Sequence, residues 1–375
     1  MIRIADIIGG SGEDKQDKEK KKPDIHKDVN PPTNIELVKI QQENSPSLTQ
    51  PLEDPDERQA PTLMELSKSM LDKVKLESQK ESQDLYSNLV NNLREVCRSL
   101  NSGENPNLEA INNNLDALID QIALGNEDFL IISNKSYLED YIYYHMVNVT
   151  ILAIILGKQM GYNKTKLQDL ALGSILHDIG ILTFVDIINS PAKISDKDYE
   201  QIKRHPVLGV EILEKQKGLP TQVLSIILQH HERLDGSGYP FGLKADKIDE
   251  LAQIVSVVNV YEALTHKRPF RENTLNDQAI RLMVERKYAL NPRILKLFIE
   301  TISIYPLHSW VKLSSGEIAK VIGVNKASFL KPIIRIYFDR QGKRLEVERN
   351  IDLSKQPNIY VKEQILPETI EPKLK

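Results

Sequence analysis

Cysteine is nearly absent from this chain of 375 residues, because Cys97 is the only one. A lone thiol cannot form an intramolecular disulfide, which excludes a disulfide-stabilised secreted scaffold and fits a reducing cytoplasm. We interpret Cys97 as a small buried apolar residue. A surplus of charge of one sign is also lacking, since the formal net charge is only −4. That charge provides no bulk attraction to nucleic acid or to an anionic membrane, so we expect no nucleic-acid partner.

A hydrophobic run long enough to cross a bilayer is lacking as well. The longest apolar stretch lies near Met146 to Gly157 and is interrupted by Asn148 and Thr150. A helical span needs about 20 apolar residues, so this stretch is too short. The segment from Met1 to Gly10 is too short for the core of a signal peptide. We therefore expect a soluble, cytoplasmic protein without a membrane span.

The composition changes along the chain and separates four regions. Residues 1–60 are predicted to be a disordered tail, because they are polar from residue 11 onward and contain no aromatic residue. Residues 61–125 are predicted to form a helical N-terminal region, with leucines at helical spacing from Leu85 to Leu93 and a break between Asn101 and Pro106. This region could be a helical lead-in, a degenerate sensory module or a dimerisation element, so a homodimer through its helices is left open.

The second half of the chain changes from a helical pattern to a strand pattern. Residues 126–300 are helical in pattern and contain every motif that indicates chemistry. Residues 301–375 are predicted to be a small β-rich appendage that ends near Ile365. The predicted strands are Trp310–Leu313, Glu317–Val324 and Pro332–Phe338, the last followed by a turn at residues 339–342.

Histidine is concentrated in one part of the chain. Five of the eight histidines lie in an ordered series: His145, His177-Asp178-Ile179-Gly180, His205-Pro206, His230-His231-Glu232, and then the turn Asp235-Gly236-Ser237-Gly238-Tyr239-Pro240. Imidazole nitrogens and a carboxylate are the donors that a transition-metal site needs. The series therefore predicts metal-assisted chemistry. The remaining three, His26, His266 and His308, are interpreted as ordinary surface or packing residues.

Apolar residues at helical spacing place these histidines inside the fold. His145 continues a stripe formed by Leu138, Ile142, Val149, Leu152 and Leu156. His230 continues a second stripe formed by Val223, Ile226 and Ile227. Buried imidazoles need partners for their ring nitrogens, and metal coordination would supply them.

The other two histidine segments lie at predicted helix ends. His177 and Asp178 end one helix, and Gly180 is expected to terminate it in a left-handed conformation. His205 precedes Pro206, which favours the start of a helix. Asp178 offers two oxygens and could bridge two metal ions.

These residues, in this order and spacing, resemble the HD-GYP family, a branch of the HD phosphohydrolases. The resemblance covers roughly residues 126–290 and extends through Tyr261–Thr265 and Arg268–Arg271. It implies a mainly α fold: an HD-type helical bundle, here with a helical N-terminal region and a small C-terminal β-rich appendage. It also implies two or three divalent transition-metal ions, most often iron or manganese. The implied activity is hydrolysis of the bacterial second messenger cyclic di-GMP, with a signalling protein as a further partner.

The resemblance also assigns roles to residues. The implied metal ligands are His145, His177, Asp178, His205, His230 and His231. Asp178 is the implied bridging ligand, and His177 and Asp178 lie at the implied catalytic centre. The turn Gly238, Tyr239 and Pro240 serves shape and partner contact. Arg268 and Arg271 match substrate-holding arginines, and guanidinium suits phosphate, although two solvated surface arginines are the alternative.

Four positions depart from the family pattern. Asn259 stands where a metal-binding aspartate is expected; an amide oxygen can coordinate a metal but is uncharged, so Asn259 is a weak candidate ligand. Ile181 replaces a lysine that contacts phosphate. Gln253 stands where arginine is usual, and Glu262 stands where aspartate is usual.

Three functions follow from this pattern. The first is an active metal-dependent phosphodiesterase acting on cyclic di-GMP, which the complete histidine set favours. The second is a catalytically impaired regulator that binds a nucleotide or a protein partner, which Asn259 and Ile181 favour. The third is a phosphohydrolase of another substrate, since loss of the lysine could mark a different pocket.

Overall fold

Helices precede strands in the computed structural model, which describes residues 63–135, 137–190, 192–214, 218–285, 289–325, 328–370 and 372. The predicted disordered tail over residues 1–60 lies outside these ranges. The helices are α1 Leu63–Asn101, α2 Glu109–Ala123, α3 Asp128–Ile132, α4 Tyr141–Gln159, α5 Lys164–Leu176, α6 Val185–Ile188, α7 Asp196–Ile202, α8 His205–Leu213, α9 Thr221–Gln229, α10 Glu250–Thr265, α11 Asn276–Val284 and α12 Pro292–Ile302. A 3₁₀ helix, Ile179–Phe184, follows α5. This order confirms the mainly α fold.

The N-terminal helices α1 and α2 pack on the helical domain through their apolar faces. Leu89 and Leu93 of α1 share one buried core with Ile111 and Leu118 of α2 and with residues of α4 and α5. The chain turns between the two helices at the predicted break, where Gly103 has a φ of 76°. Cys97 is 1% exposed in this core, which confirms its interpretation as a buried apolar residue.

Helices α4 and α5 form the centre of the helical domain. Tyr141–Gln159 and Lys164–Ile188 have the length and hydropathy of membrane spans, but 78% and 61% of the most apolar 18-residue window in each is buried inside the protein. A helix that is surrounded on all sides is apolar all round, so burial accounts for this character. Leu138 was expected in the α4 stripe, yet it precedes the helix and is 49% exposed. The other four stripe residues are buried, and so is His145.

Asparagine side chains begin two helices of the domain. The Asn163 carboxamide oxygen accepts a hydrogen bond from the Lys166 backbone N–H at 2.9 Å and caps α5. Asn291 caps α12 in the same way by accepting from the N–H groups of Arg293 and Ile294. The cap on α5 fixes the start of the helix whose opposite end carries His177.

The C-terminal strands form one antiparallel sheet with the order β4-β3-β2-β1-β5. The strands are β1 Trp310–Leu313, β2 Ile318–Gly323, β3 Ile333–Phe338, β4 Arg344–Asp352 and β5 Val361–Ile365, followed by helix α13 Pro367–Ile370. On β3, Ile334 and Ile336 alternate with less buried residues and enter the core of the sheet. The three predicted strands are confirmed. Strand β4 was not predicted, because it is charged and mostly exposed and so lacks an apolar alternation.

Candidate metal centre

The six predicted ligands meet inside the helical domain. They come from one face of α4, the C-terminal end of α5, the first residue of α8 and the C-terminal end of α9: His145; His177 and Asp178; His205; and His230 and His231. All are buried except His231, which is partly exposed. Helix ends and faces far apart in sequence therefore bring five imidazoles around one carboxylate.

The carboxylate of Asp178 lies between two groups of imidazoles. Its Oδ1 is 3.1 Å from His205 Nε2 and 3.3 Å from His230 Nε2. Its Oδ2 is 3.4 Å from both His145 Nε2 and His177 Nε2. Asp178 therefore has imidazoles on both sides of its carboxylate, and its role as a bridging ligand stays a prediction.

Backbone carbonyls fix which ring nitrogen of the histidines carries hydrogen. Three Nδ1 atoms donate to carbonyl oxygens: His177 to Ser174 at 2.7 Å, His205 to Ile202 at 2.8 Å, and His230 to Ile227 at 2.9 Å. A carbonyl oxygen only accepts, so Nδ1 holds the hydrogen in each ring. The Nε2 atom of a neutral ring then presents a lone pair, and in all three rings that atom faces Asp178.

The site contains buried polar atoms without a hydrogen-bond partner. Within the described residues these include His145 Nε2, His177 Nε2 and Asp178 Oδ1. Lone pairs facing one another in a buried space repel, and each unpartnered polar group costs about 1–3 kcal/mol. A cation among them removes both penalties, and imidazole with carboxylate is a donor set that suits iron, manganese or zinc. The residues present therefore fit a transition-metal centre.

Burial and neighbouring charges set the protonation of the cluster. Burial lowers the pKa of His230 to about 4 and holds the pKa of His231 well below its ordinary value. Burial alone would raise the pKa of Asp178, but the imidazoles around it, led by His177, bring that pKa well below its ordinary range. At neutral pH the pair of adjacent histidines is therefore uncharged and Asp178 is ionised, which is the state in which these groups bind metals.

Close backbone contact holds two ligand segments together at Gly180. A left-handed helix terminator was expected there, but that prediction was wrong, because Gly180 lies within the 3₁₀ helix and its φ is not positive. A Cβ on Gly180 would overlap the carbonyl oxygen of His205 and come within 2.5 Å of the backbone nitrogen of Gly209. Glycine is required here because the chain after Asp178 touches the first turns of α8, which carries His205.

Glu262 on α10 is a functional residue that sequence reasoning missed. It was noted only as a departure from the family pattern, yet its buried carboxylate accepts a hydrogen bond from Nδ1 of His145. It also accepts from Asn148 Nδ2 at 3.2 Å. Glu262 thus does for His145 what the carbonyls do for the other rings, leaving Nε2 to face Asp178. His266, outside the site as expected, packs with Nε2 at 2.8 Å from the carbonyl oxygen of Ser133.

The glycine-rich turn is organised by a second buried glutamate. The Glu232 carboxylate accepts from the backbone N–H groups of Phe241 and Leu243, both at 2.8 Å. A Cβ on Gly238 would come within 2.5 Å of Glu232 Cα, so only glycine fits this contact. The turn lays the ring of Tyr239 on His231, with centroids 4.5 Å apart and planes 17° apart. The turn therefore covers one side of the histidine cluster, a role for Glu232 that the sequence did not indicate.

Comparisons with known proteins place this cluster in a family. The family described as "HD domain" matches residues 114–294, and the family described as "KOW domain associated with HD domain" matches residues 310–373. The chain is 33% identical over 218 residues to cyclic di-GMP phosphodiesterase PA4108 of Pseudomonas aeruginosa, which is 58% of this chain and 53% of that protein. The helical domain belongs to the HD-GYP family.

Further relatives of this HD-GYP domain carry related names. Cyclic di-GMP phosphodiesterase PdeB of Borreliella burgdorferi is 30% identical over 222 residues, or 57% of this chain and 56% of that protein. A 3'3'-cGAMP-specific phosphodiesterase of Vibrio cholerae is 31% identical over 192 residues, or 48% of this chain and 44% of that protein. The chain spans about half the length of the curated relatives it matches.

The two predicted substrate arginines occupy different positions in the HD-GYP domain. The Arg268 guanidinium lies 3.8 Å from the Glu262 carboxylate and 5.8 Å from the centroid of the Tyr141 ring, so it borders the histidine cluster. Arg271 is exposed and joins Arg268 through two backbone hydrogen bonds of 2.9 and 3.1 Å. Both arginines and Lys267 line an open cavity of about 430 Å³. The structure therefore places cationic side chains next to the cluster, with Arg268 the nearer.

In the described part of the chain, no side-chain hydrogen bond joins the other departures from the HD-GYP pattern to the six clustered residues, although the Ile181 backbone N–H donates to the carbonyl oxygen of Asp178 at 2.9 Å. Asn259 is 7% exposed on α10, one turn before Glu262, and no hydrogen bond joins it to the cluster in the described part of the chain. Ile181 packs against the main apolar core. Gln253 donates to the carbonyl oxygen of Ile248 at 2.8 Å and accepts from Asn291 at 2.7 Å. The role of Asn259 as a weak ligand stays a prediction.

Proposed function

We propose that this chain is a metal-dependent phosphodiesterase that hydrolyses cyclic di-GMP to linear pGpG or GMP in bacterial second-messenger signalling, in the cytoplasm. The observation that carries the proposal is the two-sided arrangement at Asp178, with imidazole lone pairs facing each of its oxygens. Such an arrangement is unfavourable without cations and typical of a site for two or more of them. The relatives named as cyclic di-GMP phosphodiesterases support the substrate.

Different residues contribute metal binding and phosphate binding to the proposed reaction. The five histidines, Asp178 and, more weakly, Asn259 would hold two or three iron or manganese ions. Such ions, when bound, lower the pKa of a bound water and offset charge on phosphoryl oxygens. Asp178 stays ionised, and hydrogen bonds at Nδ1 keep the rings in place. Arg268, at the border of the cluster, is positioned to attract the phosphate of the substrate, and Arg271 adds positive charge to the same cavity.

A catalytically impaired regulator is the second candidate function. Ile181 offers an apolar side chain to the core instead of a cation to phosphate, and Asn259 is uncharged. A protein with these two changes can keep metal and nucleotide while losing turnover. A related cyclic dinucleotide is the third candidate, because relatives named as specific for 3'3'-cGAMP also match the chain.

Purification without oxygen, followed by metal analysis and assays with cyclic di-GMP and 3'3'-cGAMP, separates these functions. We expect two or three ions per chain and linear product from cyclic di-GMP. Retained nucleotide binding without any product would favour the regulator, and faster hydrolysis of 3'3'-cGAMP would favour the third candidate.

The reversions Asn259→Asp and Ile181→Lys test the cause of any defect. If wild-type turnover is absent or slow, the double variant should hydrolyse cyclic di-GMP faster than wild type while binding it with similar affinity. Gln253→Arg is the matched control. Gln253 also departs from the family pattern, but its side chain is hydrogen-bonded to the backbone carbonyl of Ile248 and to the Asn291 side chain. Equal rates for wild type and double variant would show that these two positions do not limit catalysis.

A further inference from the structure

A continuous line of buried hydrogen bonds connects the N-terminal helix α1 with the histidine cluster. The Tyr86 hydroxyl donates to Asn148 Oδ1 at 2.9 Å, and Asn148 Nδ2 donates to Glu262 Oε1 at 3.2 Å. The other carboxylate oxygen of Glu262 accepts from His145 Nδ1. His145 Nε2 then lies 3.4 Å from Asp178 Oδ2. Four side chains from three helices thus form one path that ends at the proposed metal centre.

The direction of every bond in this path is determined by chemistry. A carboxylate only accepts, so Asn148 must turn its Nδ2 toward Glu262. Its Oδ1 then faces Tyr86, whose hydroxyl must donate. The exposed fractions of Tyr86, Asn148 and Glu262 are 1%, 1% and 2%, so water does not compete for these groups. Breaking one bond therefore leaves a buried group unpaired and frees the next group to move.

Glu262 has two other partners toward which it can turn. His266 Nδ1 is 3.6 Å from Oε1, and the Arg268 guanidinium is 3.8 Å from Oε2. The bond from Asn148 opposes this movement by holding Oε1 on the side of α4. Asn148 lies one turn after His145 on that helix, so the same short segment carries the ligand and the group that aligns its carboxylate partner.

We propose that Tyr86 and Asn148 are positioning residues of the metal centre, which makes α1 a working part of the site. Tyr86 orients the Asn148 amide, Asn148 holds Glu262, and Glu262 aims the Nε2 lone pair of His145 at the ion. The inference rests on the proposed metal centre but not on the identity of the substrate. Its test is therefore the retention and ligand environment of metal.

The test compares variants of the full chain loaded with cobalt(II) without oxygen. Tyr86→Phe removes one hydroxyl, Asn148→Asp replaces the donor by an acceptor of the same shape, and Glu262→Gln weakens the final bond. Changes in groups that support a metal ligand typically cost about 10–100-fold in affinity. We expect Glu262→Gln and Asn148→Asp within that range, and Tyr86→Phe near its lower end because it acts through two further bonds.

The matched control is Tyr144→Phe. Tyr144 stacks beside Tyr86, with ring centroids 6.2 Å apart, and its hydroxyl takes no part in the path. Release of cobalt to a chelator and the visible spectrum of the bound ion should change in Tyr86→Phe and stay as in wild type in Tyr144→Phe. Thermal unfolding of the metal-free proteins checks that each variant is folded.

Two results would overturn the inference, and they are distinct from failure of the proposed function. If Tyr86→Phe and Asn148→Asp release cobalt like wild type while Glu262→Gln releases it faster, α1 has no part in positioning. If Glu262→Gln also matches wild type, the path does not align His145 at all. A wild-type protein that binds no metal would instead reject the proposed metal centre itself.

Discussion

The helical domain and the C-terminal sheet bury different kinds of residue. Among the described residues from 310 to 370, every buried side chain is apolar, as at Trp310, Ile334 and Phe338. The helical domain buries ionisable side chains as well: His145, His177, Asp178, His205, His230, Glu232, Glu262 and His266. Two parts of one chain thus follow opposite rules for what enters the core.

The difference shows which buried polar groups serve function. A buried polar group without a partner costs about 1–3 kcal/mol, so a core selected for stability alone excludes such groups. Glu232 and His266 are fully partnered by backbone groups, as a structural role requires. By contrast, His145 Nε2, His177 Nε2 and Asp178 Oδ1 have no hydrogen-bond partner. Other unpartnered atoms occur elsewhere, such as Arg94 Nε and Gln364 Oε1, but in this cluster three of them lie together around one carboxylate, where a bound cation would partner them all.

Asp178→Asn should have the largest effect, because it removes the charge that both groups of imidazoles share. Loss of a residue that only supports a ligand already costs about 10–100-fold in metal affinity, and loss of the bridging ligand should exceed this. Metal analysis after chelation and the rate of cyclic di-GMP hydrolysis measure it. Asp169→Asn on α5 is the control, since Asp169 lies outside the cluster. Full metal content in Asp178→Asn would show that the buried charge of Asp178 is not needed to hold metal.

Ile334→Ala should destabilise the sheet and leave the metal centre intact. Ile334 is fully buried on β3, and truncating a buried isoleucine costs about 2–5 kcal/mol through lost contacts and the remaining cavity. Urea unfolding measures the loss, and chelator-resistant metal in the folded protein measures the independence of the site. Parallel loss of metal in folded protein would mean that the sheet supports the centre.

Gly180→Ala should cost more than the same substitution in the sheet. At Gly180 the added methyl meets backbone atoms of α8, and overpacking of this kind costs about 1–3 kcal/mol or more. At Gly323 the nearest atoms are Cβ and Cδ1 of Ile333, both at 3.3 Å, so the added methyl requires a much smaller shift than at Gly180, where it would overlap the backbone carbonyl oxygen of His205. The test is to measure the free energy of unfolding of both variants, and we expect the larger loss in Gly180→Ala. Equal losses in Gly180→Ala and Gly323→Ala would contradict the rigid contact described for Gly180.

Asn163→Ala should have the smallest effect, a loss of about 1 kcal/mol for an N-terminal cap. Asn291→Ala removes the equivalent cap from α12 together with the hydrogen bond that Asn291 donates to Gln253, so it should cost at least as much. Only Asn163 caps the helix that ends at His177. Hydrogen exchange of the α5 amides and metal release should therefore change in Asn163→Ala and not in Asn291→Ala. Identical metal release from both would show that fraying at the start of α5 does not reach the site.

Periodic patterns allowed much of this structure to be predicted from sequence. The stripe around His230 and the start of α8 beside Pro206 are local features, and each emerged as expected. Strands β1 to β3 followed from alternation in the same way. Strand β4 has no such pattern, because its side chains meet solvent and its place depends on pairing with β3.

Features that depend on distant contacts were not predictable. Glu262 looked like a mere exchange of one acid for another, because its partner His145 is 117 residues away in sequence. Asn148 was seen only as an interruption of an apolar run. Gly180 fitted the local signature of a helix end, while its true constraint is the backbone of α8. In each case the residue that makes the important contact belongs to another helix. The spacing of residues within one segment cannot indicate such a contact.

The backbone contact between Gly180 and Gly209 has a consequence for how ions enter the site. With no side chain separating the two segments, the backbones that carry Asp178 and His205 are held at a fixed spacing by main-chain contact. Little conformational freedom of these segments remains to be lost when an ion binds. Binding would therefore resemble entry into a preorganised site more than closure of a flexible loop around the ion. We therefore expect the proposed site to select ions by size, because these two segments cannot move apart or together to suit a poor fit.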